Sequence, residues 1–266
     1  MLPRIALLVV TLFHACSVFA TDNAPSPATL CRQSTPVIRE LWKQGTYDTS
    51  PEVAALMVDT IDGKLPQVRQ QLATLKSDDA ARWRQAAMLT AVWAGQATVV
   101  DGLLDDGAAV DGISWMPPYK HNFYQQTLGA MKQDPRFGGP VTVNQLKAAG
   151  IVSNQSSQLG PALPVAAECG DVSTVDVLLR HHADVMARQA PNIADALDTA
   201  TVNGNAAIVQ RLLDHGANAC THDHLVRERT LKSQRKFIPL AEVGRHAGLP
   251  ANLTARLICP VVASTH

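Results

Sequence analysis

The chain has no surplus of either charge, with 23 Lys+Arg against 23 Asp+Glu in 266 residues. A protein that tracks nucleic acid or an anionic membrane surface carries a basic excess, so no nucleic-acid partner is expected. Aromatic residues are scarce at 5%, which favours helices packed through small side chains over a β-sandwich. Catalytic signatures are also missing. There is no G-x-S-x-G, no H-E-x-x-H and no P-loop. Ser114, after Gly112-Ile113, lacks the second glycine of a nucleophile elbow. No enzyme activity and no cofactor are therefore expected. His181, His182, His215, His222 and His224 have no carboxylate or cysteine at metal-ligand spacing, so no metal site is expected either. C-x-x-C motifs are absent, which removes the common redox and zinc signatures. Beyond residue 20 no run is apolar enough to span a bilayer, so no integral membrane segment is expected once the leader is removed.

What the chain does contain begins with a leader. Arg4 precedes an apolar run from Ile5 to Phe13, and Val18-Phe19-Ala20 places small residues where a signal peptidase reads them. Residues 1–20 are expected to be a secretory signal peptide. Lipidation at Cys16 is the alternative, although Phe13-His14-Ala15 is a poor lead-in for it. Export leaves Cys31, Cys169, Cys220 and Cys259, an even number that suggests disulfides in an oxidising compartment.

An internal repeat organises the remainder. Ala91-x-x-x-Gly95, Val99-Val100, Leu103-Leu104 and Gly107-Ala108 recur at identical spacing as Ala200-x-x-x-Gly204, Ile208-Val209, Leu212-Leu213 and Gly216-Ala217. A third copy spans Ala166 to Met186, with His182 in place of the second glycine, and a weaker one spans Asp59 to Leu75. The pattern predicts two helices per copy. The first has a small-residue face and ends on a left-handed glycine; the second carries an apolar stripe. His182 is expected to adopt a left-handed conformation or distort its helix end.

These copies resemble the ankyrin repeat, through the A-x-x-x-G turn, the V-V-x-x-L-L helix and the G-A-x-V-[DN] exit. The family's T-P-L-H opening is mostly replaced, with Ala86, Pro161 and Asp195 at its Thr position. The resemblance implies an all-α, ankyrin-type helical solenoid of about four or five repeats. Residues 21–52 are expected to form an N-terminal cap segment, 53–112 repeats one and two, and 160–221 repeats three and four. Residues 222–266 should hold a basic loop and a degenerate last repeat.

Gly63 to Gly95 is 32 residues and Gly170 to Gly204 is 34, but Gly95 to Gly170 is 75. The excess is a long finger-loop insertion at 113–159. It carries Trp115, Tyr119, Phe123, Tyr124 and Phe137, half of the ten aromatics beyond the leader. Such residues are enriched at protein interfaces, so these five are the candidate partner-binding residues. The bland reading is that they fold back on the solenoid. A second insert, 225–236, has five basic residues and one acidic residue, as a solvated loop would. Cys220 with Cys259 is the preferred disulfide, because it would staple the degenerate last repeat to the last good one. Cys31 and Cys169 would be left over, and are expected to lie too far apart along the stack.

The resemblance further implies a non-catalytic protein-binding module. Exported bacterial ankyrin proteins include periplasmic immunity proteins that neutralise secreted toxic effectors such as lipases. Others are scaffolds or stress-protection factors associated with catalase. The expected location is the periplasm and the expected partner is a protein.

Overall fold

The computed structural model describes residues 27–118, 120, 157–188, 194–220 and 239–259. The expected signal peptide and Cys16 lie outside these residues. A first helix, α1 (Pro27–Lys43), precedes five helix pairs. The pairs are α2 (Pro51–Ile61) with α3 (Leu65–Thr74), α4 (Ser77–Ala94) with α5 (Ala97–Asp105), and α6 (Ala162–Cys169) with α7 (Val172–Arg180). They continue with α8 (Ala196–Val202) and α9 (Ala206–Asp214), then α10 (Leu240–His246) and α11 (Ala251–Arg256). Between α5 and α6, β1 (Ser114–Met116) and β2 (Ser157–Leu159) form an antiparallel finger. The first helices of the pairs stack in one layer and the second helices in another, each touching its neighbours. This is an all-α, ankyrin-type solenoid with a finger insertion.

The glycine spacing produces the turns. Gly63, Gly95, Gly170, Gly204 and Gly248 all have positive φ, between +65° and +79°. At Gly204 the requirement is double, since a Cβ would also press on the Ala247 carbonyl of the next repeat. Small residues let the first helices approach: Ala87, Ala91, Ala162, Ala166, Ala196 and Ala200 are fully buried. The apolar pairs of the second helices, Val99-Val100 and Ile208-Val209, are equally buried. After each second helix the chain turns left-handed. It does so through Gly107 and Gly216 (φ +94° and +90°) and, where glycine is missing, through His182 (φ +60°). His182 N–H donates to Leu179 O at 3.0 Å, as Gly107 N–H does to Leu104 O at 3.0 Å. The cap survives with a side chain at a cost of roughly 1 kcal/mol.

One repeat opens differently from expectation. The repeat pattern puts Ala86 at the opening of the second repeat, yet it lies inside the 18-residue α4, which starts at Ser77. Asp78 and Asp79 sit in its first turn, where negative charge suits a helix N-terminus. Good helix formers then carry it on, and Trp83 is buried. In the fourth repeat Asp195 forms a capping box with Asp198.

Charge pairs link every consecutive pair of repeats along the second-helix layer. Arg69 meets Asp106 at 2.7 Å and Arg180 meets Asp101 at 2.8 Å. Arg211 pairs with Asp176, and Arg256 meets Asp214 at 2.8 Å. Exposed pairs contribute only about 0.2–1 kcal/mol each, so they tune register more than stability.

Helix α1 packs on α2, α4 and α6, the first helices of three successive repeats. It forms a third layer over that part of the solenoid. Cys31, Ile38, Leu41 and Trp42 bury its inner side. Arg39 clamps Asp62 at the end of α2, with Nη2 2.8 Å from Oδ2. This hydrogen bond holds the Asp62 carboxyl down at about 2. The crossing overturns one expectation. Cys31 and Cys169 are not too far apart; they lie at disulfide distance, with Cα atoms 5.4 Å apart. The reason is length. Seventeen helical residues reach about 25 Å, enough to cross helices packed about 8–10 Å apart. A helix stacked only on the end of the array would never meet the third repeat. Cys220 and Cys259 also lie at disulfide distance, with Cα atoms 5.3 Å apart.

Candidate functional site

The finger leaves the second repeat just beyond α5. Gln85 ties down its approach, its side chain bonding both the carbonyl and the N–H of Ala109. In β1 and β2, Ser114 pairs with Leu159, Trp115 with Gln158, and Met116 with Ser157. Successive strand residues face opposite ways. Ser114 and Met116 are buried, and β1 packs on α4. Ile113 and Trp115 are then directed outward, 49% and 47% exposed. Only one other large apolar side chain is exposed among the described residues, Ile258 near the C-terminal end. Two adjacent ones on an ordered hairpin therefore stand out. Gly160 closes the finger base, where a Cβ would come within 3.0 Å of the Gly112 carbonyl.

A second segment joins the finger at its foot. Asp48 N–H donates to Pro118 O at 2.8 Å, and Lys120 N–H donates to Thr46 O at 2.9 Å. Residues 46–48 are the exit from α1, so the first helix is stitched to the finger. Tyr47, buried, lies 4.1 Å from the Trp42 ring. That contact anchors the exit in the core.

Of the five aromatic residues singled out in the sequence, the structure places Trp115. Tyr119, Phe123, Tyr124 and Phe137 lie outside the described residues, as does the basic stretch 225–236 with His222 and His224. The structure adds Ile113, which an aromatic count could not find. The strand's two-residue period beside Trp115 was the available signal.

A second group of side chains bridges repeats two and three. His181 Nε2 is 2.7 Å from Asp101 Oδ1 and 3.9 Å from Asp105 Oδ1. This corrects the expectation that no carboxylate accompanies the histidines. Sequence spacing could not reveal the group, because its carboxylates come from α5, where Asp101 lies 80 residues upstream of His181. It is the one group of three metal-capable side chains found among the described residues. Arg180 already rests on Asp101 at 2.8 Å. The His181 hydrogen bond, aided by Arg180, holds the Asp101 carboxyl below the usual range. The arrangement is a charge clasp between two repeats. His215, at the equivalent position of the next repeat, instead makes a local contact, with Nδ1 2.8 Å from the Arg211 carbonyl.

No described helix is long and apolar enough to cross a membrane. The two cysteine pairs are compatible with an extracytoplasmic location.

Comparison with known proteins returned little. No protein-family model and no curated protein matches the sequence. Among solved structures, the ankyrin repeat domain of Bcl-3 is similar at 19% identity, covering 89% of this chain and 98% of that domain, with a TM-score of 0.35.

Proposed function

We propose that this chain is a non-catalytic periplasmic protein-binding module, an immunity-type inhibitor that neutralises a secreted toxic effector such as a lipase. The observation that carries the binding role is the exposed Ile113–Trp115 face on an ordered finger. A half-exposed tryptophan on a strand is a rigid, largely apolar anchor, of the kind that dominates protein interfaces when a partner covers it. Tyr119, Phe123, Tyr124 and Phe137 are proposed to extend that contact surface. The effector-neutralising role rests on the resemblance to exported ankyrin proteins and on the leader.

The test is capture from a periplasmic extract and mass spectrometry, followed by affinity measurement with the purified partner. A one-to-one complex with a toxic hydrolase, weakened about 30-fold or more by Trp115→Ala, is expected. Equal capture by wild type and variant removes the finger from the mechanism. Capture of a catalase in place of a toxin would favour the scaffold or stress-protection reading.

A further inference from the structure

We infer that α1 is a positioning strap for the finger, so that the Cys31–Cys169 pair controls the geometry of the partner-binding face. The inference rests on the binding role proposed above and assigns a function to a helix that otherwise reads as a cap.

Both ends of α1 meet segments that flank the insertion. Near its start, Cys31 lies at disulfide distance from Cys169. Cys169 ends α6, the helix that the returning strand β2 enters through Gly160 and Pro161. Just past its end, Thr46 and Asp48 hydrogen-bond Lys120 and Pro118, on the segment leaving β1. The helix is thus tied to α6, which follows the returning strand, while its exit at 46–48 is tied to the outgoing arm. Trp42 is fully buried and Tyr47 packs on it, which seats the C-terminal end of the strap in the core. A β-hairpin of two three-residue strands has little stability alone. Its position must come from α4 beneath it and from such ties. The Cys220–Cys259 pair, in the fourth and fifth repeats, touches none of these segments and supplies an internal control.

The experiment is amide hydrogen exchange on the full chain, comparing wild type, Cys31→Ser/Cys169→Ser and Cys220→Ser/Cys259→Ser. Exchange at 114–116 and 157–159 is expected to accelerate about tenfold or more in the first variant and to stay within about twofold in the second. Loosening of the whole solenoid to the same degree as the finger would overturn the inference, as would an unchanged finger. Should the first variant fail to fold, Asp48→Pro decides. It deletes the N–H donated to Pro118 and leaves the cysteines intact. Faster exchange confined to the finger and residues 46–48 supports the strap, and unchanged finger exchange sinks it. Trp115→Ala should not change finger exchange, so a failed binding role and a failed strap give different results.

Discussion

The first three repeats and the last two are built from the same unit but held together differently. Repeats one to three carry a third layer, α1, and helices as long as the 18-residue α4. Repeats four and five lack that layer among the described residues, and three of their four helices have only six or seven residues. Helices that short are unstable alone and depend on neighbours. The comparison teaches where covalent ties matter. Cys31–Cys169 closes 138 residues across the three-layered part, whereas Cys220–Cys259 closes 39 residues at the thin end.

Removing each pair is the strongest way to break this comparison. Loop-closure entropy predicts a loss of about 5 kcal/mol for Cys31→Ser/Cys169→Ser and about 4 kcal/mol for Cys220→Ser/Cys259→Ser. The totals are close, but the location should differ. Denaturant unfolding with exchange mapping should show the first loss greatest at the finger and smaller across repeats one to three, and the second confined to four and five. Identical exchange maps would erase the distinction. A smaller effect is expected at the turn glycines. Gly204→Ala must bear a left-handed backbone and a Cβ against the Ala247 carbonyl, which should cost about 3 kcal/mol in thermal unfolding. Gly216→Ala meets nothing within 4 Å and should cost only about 1–2 kcal/mol.

The Arg39–Asp62 clamp ties α1 to the solenoid and gives the thick end a pH dependence. Asp62 has a lowered carboxyl pKa, held at about 2 by Arg39. Its contribution is complete above the unfolded value near 4 and is lost as pH falls toward 2. With discounting for the half-exposed Arg39, the loss should be about 1 kcal/mol, absent in Asp62→Asn. Stability titrations of the two proteins that run parallel from pH 5 to 2 would remove the clamp. The smallest expected change is a gain. His182→Gly relieves a left-handed side chain (φ +60°) and should stabilise by up to about 1 kcal/mol.

The repeats were legible because their chemistry is local. Gly95 and Gly204 terminate helices whatever surrounds them, and Leu103-Leu104 and Leu212-Leu213 mark the second helix by period. His182 was legible for the same reason, since only its backbone conformation was at issue. The path of α1 was not legible, because Cys31 and Cys169 meet through a crossing over three repeats that no local pattern encodes. Asp101 and His181 were missed likewise, as they belong to different repeats. The early start of α4 was hidden by a family pattern that places an opening at Ala86. At the finger, composition pointed to Trp115, but its exposure follows from strand pairing, which the sequence did not specify.

The most direct test of the central claim is the dissociation constant of the purified partner for wild type and for Trp115→Ala, measured at one salt concentration. If the outward finger face is the binding surface, the ratio should be about 30 or more, with thermal stability unchanged. A ratio near one, with both proteins folded and binding, would place recognition elsewhere on the solenoid and contradict the account.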